Sequence, residues 1–154
     1  MSIKVDLSKI KVELKNYIEI NGDKYYVDGK KVIIEPSKKE THTALWLSAK
    51  LNIKIEILPR IILPKNIKTP DYLINGEYWD LKDITSNRND ALRCRIRGKE
   101  KQSLNFIIDI SKSKLTIKAA ERQINILYDI KGYKWLKDVI IKKNNEILII
   151  KKKS

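Results

Sequence analysis

A chain of 154 residues with 42% hydrophobic and 34% charged residues is sized for one folded domain with its own core, and this composition argues against a disordered or membrane-spanning protein. Lys and Arg number 33 against 19 Asp and Glu, a formal charge of +14. That balance favours a polyanionic partner, because each neutralised phosphate releases condensed counterions. A lysine-rich surface in a chain full of Lys, Ile and Asn is the plainer alternative. One cysteine, Cys94, and one histidine, His42, rule out an internal disulfide and a thiolate zinc cluster and argue against a Ser-His-Asp triad. Catalysis, if there is any, falls to carboxylates and lysine. No apolar run approaches the roughly 20 residues of a membrane helix, and no secretory-type segment follows Met1, so the chain itself carries no address.

The first 35 residues read as strands joined by tight turns: YIEI, NGD, KYYV, DGK, KVIIE. Pro36-Ser37 then opens a helix that runs to about Leu51, with Ser37 as N-cap and Glu40 at capping-box spacing. Ala44, Leu47 and Leu51 form its inward face, and helical spacing places Glu40 there too. Glu40 therefore either caps the helix or reaches towards the sheet. Trp46 falls off the stripe, and His42 sits at the surface of the first turn.

IKIEILP reads as a strand of period two, followed by a loop through Pro64 and Pro70. TPDYLINGEYWDLKDI, residues 69 to 84, reads as a hairpin around Asn75-Gly76, a dipeptide suited to a type I′ turn. From about Arg88 to Gln102 a helix with Ala91, Leu92 and Ile96 inside carries Arg88, Arg93, Arg95, Arg97, Lys99 and Lys101 on its flanks, with Gly98 as its weak point. Cys94 is expected to be a buried apolar substitute. LNFIIDI reads as a buried strand, residues 113–130 as a helix with Ile117, Ala120, Ile124, Leu127 and Tyr128 on one stripe, and LKDVIIKK and EILIIKKK as a closing hairpin across Asn144-Asn145. The order helix, strand, hairpin, helix, strand, helix predicts an α/β (α+β) fold, a mixed central sheet flanked by helices.

The hairpin raises a question of charge. With Asn75 and Gly76 as the loop, Asp71 falls opposite Asp80, and alternation turns Asp80 and Lys82 to one face and Trp79 and Leu81 to the other. Like charges facing each other destabilise a sheet. A divalent cation is the simplest compensation. Mg²⁺ (or Mn²⁺) takes oxygen ligands and keeps several waters, so Asp71, Asp80 and the backbone carbonyl of Leu81 suffice. In the plainer reading, Asp71 only starts a strand after Pro70, and Asp80 and Lys82 form a surface pair worth little. Leu73 and Tyr78 share the aspartates' face and cover it at least partly, which favours the metal site.

Pro70-Asp71, eight intervening residues and Asp80-Leu81-Lys82 resemble the PD-(D/E)xK signature of a large nuclease superfamily. Within it, ETHTALWLSAKLNIKIEILPR, the hairpin and KEKQSLNFIIDI most resemble the C-terminal toxin nuclease domains of contact-dependent growth inhibition systems, over roughly residues 37–130. The resemblance implies a restriction-endonuclease-like core over 37–130; the N-terminal β-meander (1–35) and the C-terminal hairpin and basic tail (131–154), read from their turn signals, complete a single domain, 1–154. It implies a metal-dependent endonuclease, a tRNase toxin delivered into a target cell's cytoplasm within a larger secreted protein and neutralised by an immunity protein. An acidic face on that protein would suit the +14 charge.

In that reading Asp71 and Asp80 bind metal, Lys82 positions the attacking water, and Glu40 supports Lys82 or joins the metal shell. Gln102 and Lys101 contact substrate or metal-bound water, and Asn87, Arg88, Arg93, Arg95 and Arg97 contact phosphates. Two alternatives stand beside it: a DNA endonuclease of a restriction, repair or mobile-element system, and a noncatalytic nucleic-acid-binding module.

Overall fold

The computed structural model describes Ser8 and residues 10–153. Residues 1–7 and Lys9 of the expected N-terminal strand region, and Ser154 of the tail, lie outside the described residues. The chain is a mixed α+β structure whose residues form two compact units, Met1–Tyr78 and Trp79–Ser154.

The first unit holds β1 (Lys11–Leu14), β2 (Tyr17–Ile20), β3 (Asp23–Tyr26), β4 (Val32–Ile33), α1 (Lys38–Leu51), β5 (Lys54–Ile57), β6 (Arg60–Ile61) and β7 (Tyr72–Ile74). β1 runs parallel to β5, and β5 pairs antiparallel with β7, giving a mixed sheet. α1 starts where Ser37 Oγ accepts the Glu40 N–H at 3.0 Å and stops at Asn52, whose φ of 53° lets its N–H reach back to Ser48. Ser48 Oγ also accepts the Lys11 N–H at 2.7 Å, which fastens the helix to β1. Ala44 and Leu47 are buried as expected, Leu51 is half-buried, and Thr43 and Trp46 are buried as well. Trp46 therefore belongs to the packed side.

β2 and β3 form the expected hairpin over Asn21-Gly22, and Ile18 from it packs with Val32, Leu58 and Ile61 in a small core. Two expectations change here. KVIIE contributes only Val32–Ile33, and its partner is β6, within the stretch expected to be loop. β1 was not foreseen, because KVEL offers one exposed-to-half-buried edge and no turn signal before it.

β8 (Glu77–Asp83) follows β7 across a two-residue turn with φ of 51° at Asn75 and 77° at Gly76, the type I′ geometry expected. The second unit continues with α2 (Ala91–Ile96), β9 (Asn105–Asp109), α3 (Ile117–Tyr128), β10 (Val139–Lys143) and β11 (Glu146–Ile150). β8, β9 and β10 run parallel, and β11 closes antiparallel on β10. Phe106, Ile108, Val139 and Ile141 pack with Leu92 and Ile96 of α2 and Ala120, Ile124 and Leu127 of α3. Every residue of β9 is buried, as a strand flanked on both edges and both faces should be.

The helix expected over residues 88–102 is corrected to six residues. Arg97 leaves helical geometry with ψ of 128°, and Gly98 follows at φ 73°, a conformation glycine adopts without strain. Cys94 is corrected from buried to exposed.

Candidate active site

β8 positions the central pair. Asp80 and Lys82 point to one face, and their ladder partners are Phe106 and Ile108. Partners in a parallel ladder share a face, so the charged pair shares the apolar layer that meets α2 and α3. Asp80 is 1% exposed and Lys82 7%. Lys82 Nζ lies 2.6 Å from Asp80 Oδ2, an ion contact whose angles are not those of a hydrogen bond. Both carboxylate oxygens of Asp80 are buried with no hydrogen-bond partner among the described residues. Lys82 Nζ also donates to Gln102 Oε1 at 3.1 Å. The early end of α2 makes that contact: beyond Gly98 the chain turns, with the Gln102 N–H on the Lys99 carbonyl, and carries Gln102 to Lys82.

Burying an ion costs several kcal/mol unless it is paired and its hydrogen-bonding capacity is filled. Lys82 supplies charge to Asp80 but fills neither oxygen. Such a carboxylate suits a hard cation, for which charge and oxygen donors matter more than hydrogen-bond geometry. Among the described residues, no three His, Cys, Asp or Glu side chains gather as a metal-binding group, so one or two carboxylates completed by backbone oxygen and water is the donor set the residues fit.

Asp71 precedes β7, half-buried, and its carbonyl accepts the Leu58 N–H at 3.0 Å. The Glu40 carboxylate accepts from Arg60 at 3.0 Å and its carbonyl from the Tyr72 hydroxyl at 2.6 Å; the residue caps through its N–H and is held by β6. Leu81 is half-buried opposite Ile107.

The basic set separates. Asn87 Oδ1 accepts from the Lys114 N–H at 2.7 Å and the Ser113 hydroxyl at 3.2 Å, which ties its loop down. The Arg93 guanidinium stands 5.7 Å from the centre of the Tyr133 ring. Arg88 pairs with Asp90 at 3.2 Å, and Arg95 Nε donates to the Asp83 carbonyl at 3.3 Å. Arg97 and Lys101 are exposed beyond α2.

Sequence reasoning missed a second buried pair. Asp109 and Lys142 are 0% and 6% exposed and 3.5 Å apart. Their signal was legible: a charged residue near the end of each of two otherwise apolar runs, LNFIIDI and VIIKK.

The α+β fold with an incompletely satisfied aspartate beside a lysine defines a domain built around a buried charged centre. Residues 68–147, more than half of the chain, match the family described as "Contact-dependent growth inhibition CdiA C-terminal domain". The chain belongs to that family. Among solved structures it is similar to the "CdiA-CT/CdiI toxin and immunity complex from Burkholderia pseudomallei", at a TM-score of 0.60 and 26% identity, over 91% of this chain and 99% of that one. No curated protein matches the sequence.

Proposed function

We propose that this chain is a metal-dependent endonuclease of the PD-(D/E)xK kind, the toxin domain of a contact-dependent growth inhibition protein, with tRNA as its substrate. The observation that carries the reading is the buried Asp80 carboxylate, short of hydrogen bonds, beside a lysine steadied by Gln102. Family membership and the likeness to a toxin–immunity complex support the toxin role. The charge of +14 supports a nucleic-acid substrate.

In this reading Asp80 and Asp71, with the Leu81 carbonyl, would hold Mg²⁺ or Mn²⁺, which would supply a Lewis acid for the scissile phosphate and lower the pKa of a water. Lys82 orients that water through Nζ and offsets negative charge growing on the phosphate oxygens. Gln102 Oε1 fixes the direction of Nζ. The apolar layer around Phe106 and Ile108 lowers the local dielectric and strengthens both effects. Hydrolysis proceeds without a covalent enzyme intermediate. Action takes place in the cytoplasm of a target cell after delivery in a larger protein, and an immunity protein with an acidic face neutralises the domain.

The test incubates wild type and Asp80→Ala with total bacterial tRNA and with plasmid DNA, in Mg²⁺ or in EDTA. Discrete tRNA fragments that vanish with the substitution and with EDTA are expected. Plasmid nicking under the same controls would move the substrate to DNA, and no cleavage of either would leave a noncatalytic binding module.

A further inference from the structure

The strand that carries Asp80 and Lys82 ends in a pocket of about 410 Å³. Ile84 and Ala91, 3% and 4% exposed, give it an apolar floor. Thr85, Ser86, Arg88 and Arg95 contribute hydroxyls and guanidinium groups around it. Its volume lies in the usual range for small-ligand pockets, roughly 300–1,000 Å³. Its place, at the carboxyl end of parallel strands, is where open sheets bind ligands.

Charge and rigidity narrow the occupant. Arg95 spends Nε on the Asp83 carbonyl, at 3.3 Å, which fixes the guanidinium and leaves its terminal amino groups in the fork geometry that suits phosphate. The Arg88 side chain is 74% exposed and meets Asp90 Oδ1, itself a buried atom, at 3.2 Å, so a phosphate can meet the outer edge of the guanidinium without displacing Asp90. Asp83 is offset by Lys112 at 3.5 Å.

The loop is also pinned from beneath. Gln123, buried in α3, donates to the Arg88 carbonyl at 3.0 Å and accepts the Leu92 N–H at 2.9 Å, while Asn87 is tied to Ser113 and Lys114. Anchoring both neighbours of an exposed basic rim prepares the pocket before any ligand arrives.

We propose that this pocket takes one unstacked nucleotide of the RNA strand, its base on Ile84 and Ala91 and its phosphate between Arg88 and Arg95. Identifying the strand as RNA rests on the nuclease reading of Asp80 and Lys82; the nucleotide chemistry of the pocket does not. The site thereby selects single-stranded or flippable positions, since a base held in a duplex stack cannot enter.

Cys94 lines the pocket, is exposed, and is the sole cysteine, so it reports occupancy without an added label. The rate of its alkylation by N-ethylmaleimide is measured in EDTA with each of the four 5′-ribonucleoside monophosphates, or with inorganic phosphate. A nucleotide at about ten times its Kd should slow alkylation about tenfold. Arg88→Ala/Arg95→Ala should lose that protection at the same concentration and keep the wild-type Tm. Absence of protection by all four nucleotides, equal protection in the double variant, or equal protection by phosphate alone overturns the proposal. EDTA separates this outcome from the cleavage assay. Protection without tRNA cleavage sinks the nuclease reading and keeps the pocket, whereas cleavage without protection does the reverse.

Discussion

The second unit buries two aspartate–lysine pairs on opposite faces of one sheet, and they are built differently. Asp109 accepts from the Ser111 N–H at 2.8 Å through Oδ1 and meets Lys142 Nζ at 3.5 Å through Oδ2. Asp80 is as deeply buried but touches Lys82 at 2.6 Å in a geometry that makes no hydrogen bond. The two lysines differ as well: Lys142 comes from the next strand and locks β9 to β10, while Lys82 sits two residues from its partner on the same strand. A cross-strand pair with its acceptor filled does structural work. A same-strand pair with two unfilled oxygens carries a desolvation cost that its hydrogen bonds do not offset.

The widest separation between the pairs should appear on removing each carboxylate. Asp80→Asn is expected to lower the tRNA cleavage rate by at least ~10²–10³-fold, with the smaller loss of stability of the two variants. Asp109→Asn should cost about 3–5 kcal/mol, as removing one partner of a buried pair does, and leave the rate per folded molecule near wild type. Urea midpoints at unchanged m-value, together with single-turnover rates on the folded fraction, check both. A reversed pattern would break the contrast.

A smaller effect sharpens the structural half. Asp109→Asn/Lys142→Met removes both charges, and replacing a buried pair with uncharged groups is often neutral. Its urea midpoint should therefore recover most of what Asp109→Asn loses. If the double variant is as unstable as the single one, a stranded Lys142 charge is not the source of the loss.

Gln102→Ala tests the functional half. Losing one hydrogen bond to a charged group should cost about 1.5–3 kcal/mol at most. Because Gln102 acts through Lys82, kcat should fall with KM little changed, and Gln102→Glu should restore the contact but shift the pH–rate profile. Equal loss of kcat in both variants with an unshifted profile would mark Gln102 as a packing residue.

How legible each part was follows from the range of the interactions that decide it. The turn at Asn75-Gly76 was readable because its φ values are a local property of two residues. So were the Ser37 cap of α1 and the alternation that puts Asp80 and Lys82 on one face. Helix length after Arg88 misled, because a run of Arg and Lys has good helix propensity while one glycine at φ 73° ends the element. β1, the β4–β6 pair and the Arg60 hold on Glu40 were out of reach, since each depends on a partner far along the chain. The Lys82–Gln102 contact is of the same kind: 20 residues separate them, and the early helix end that joins them was itself misread.

A third carboxylate carries the contrast to the surface of the first unit. Asp28 Oδ1 accepts the N–H groups of Lys30, Lys31 and Val32 at 2.8, 2.7 and 3.0 Å. The Val32 and Lys30 N–H groups hold its pKa below the ordinary value of 3.8. A depressed folded pKa means that the unfolded chain binds the proton more tightly. The contribution is therefore complete above the unfolded value and fades as pH falls through 3.8 towards the folded pKa. Asp28→Ala should lower Tm at neutral pH, and the gap from wild type should narrow as pH falls below 3.8. Thermal melts across that range are the check, and a gap that stays constant with pH would show that the loop needs the side chain's shape and not its charge. If the gap closes, acceptor filling stabilises an exposed aspartate as it does buried Asp109, and the unfilled Asp80 stands further apart.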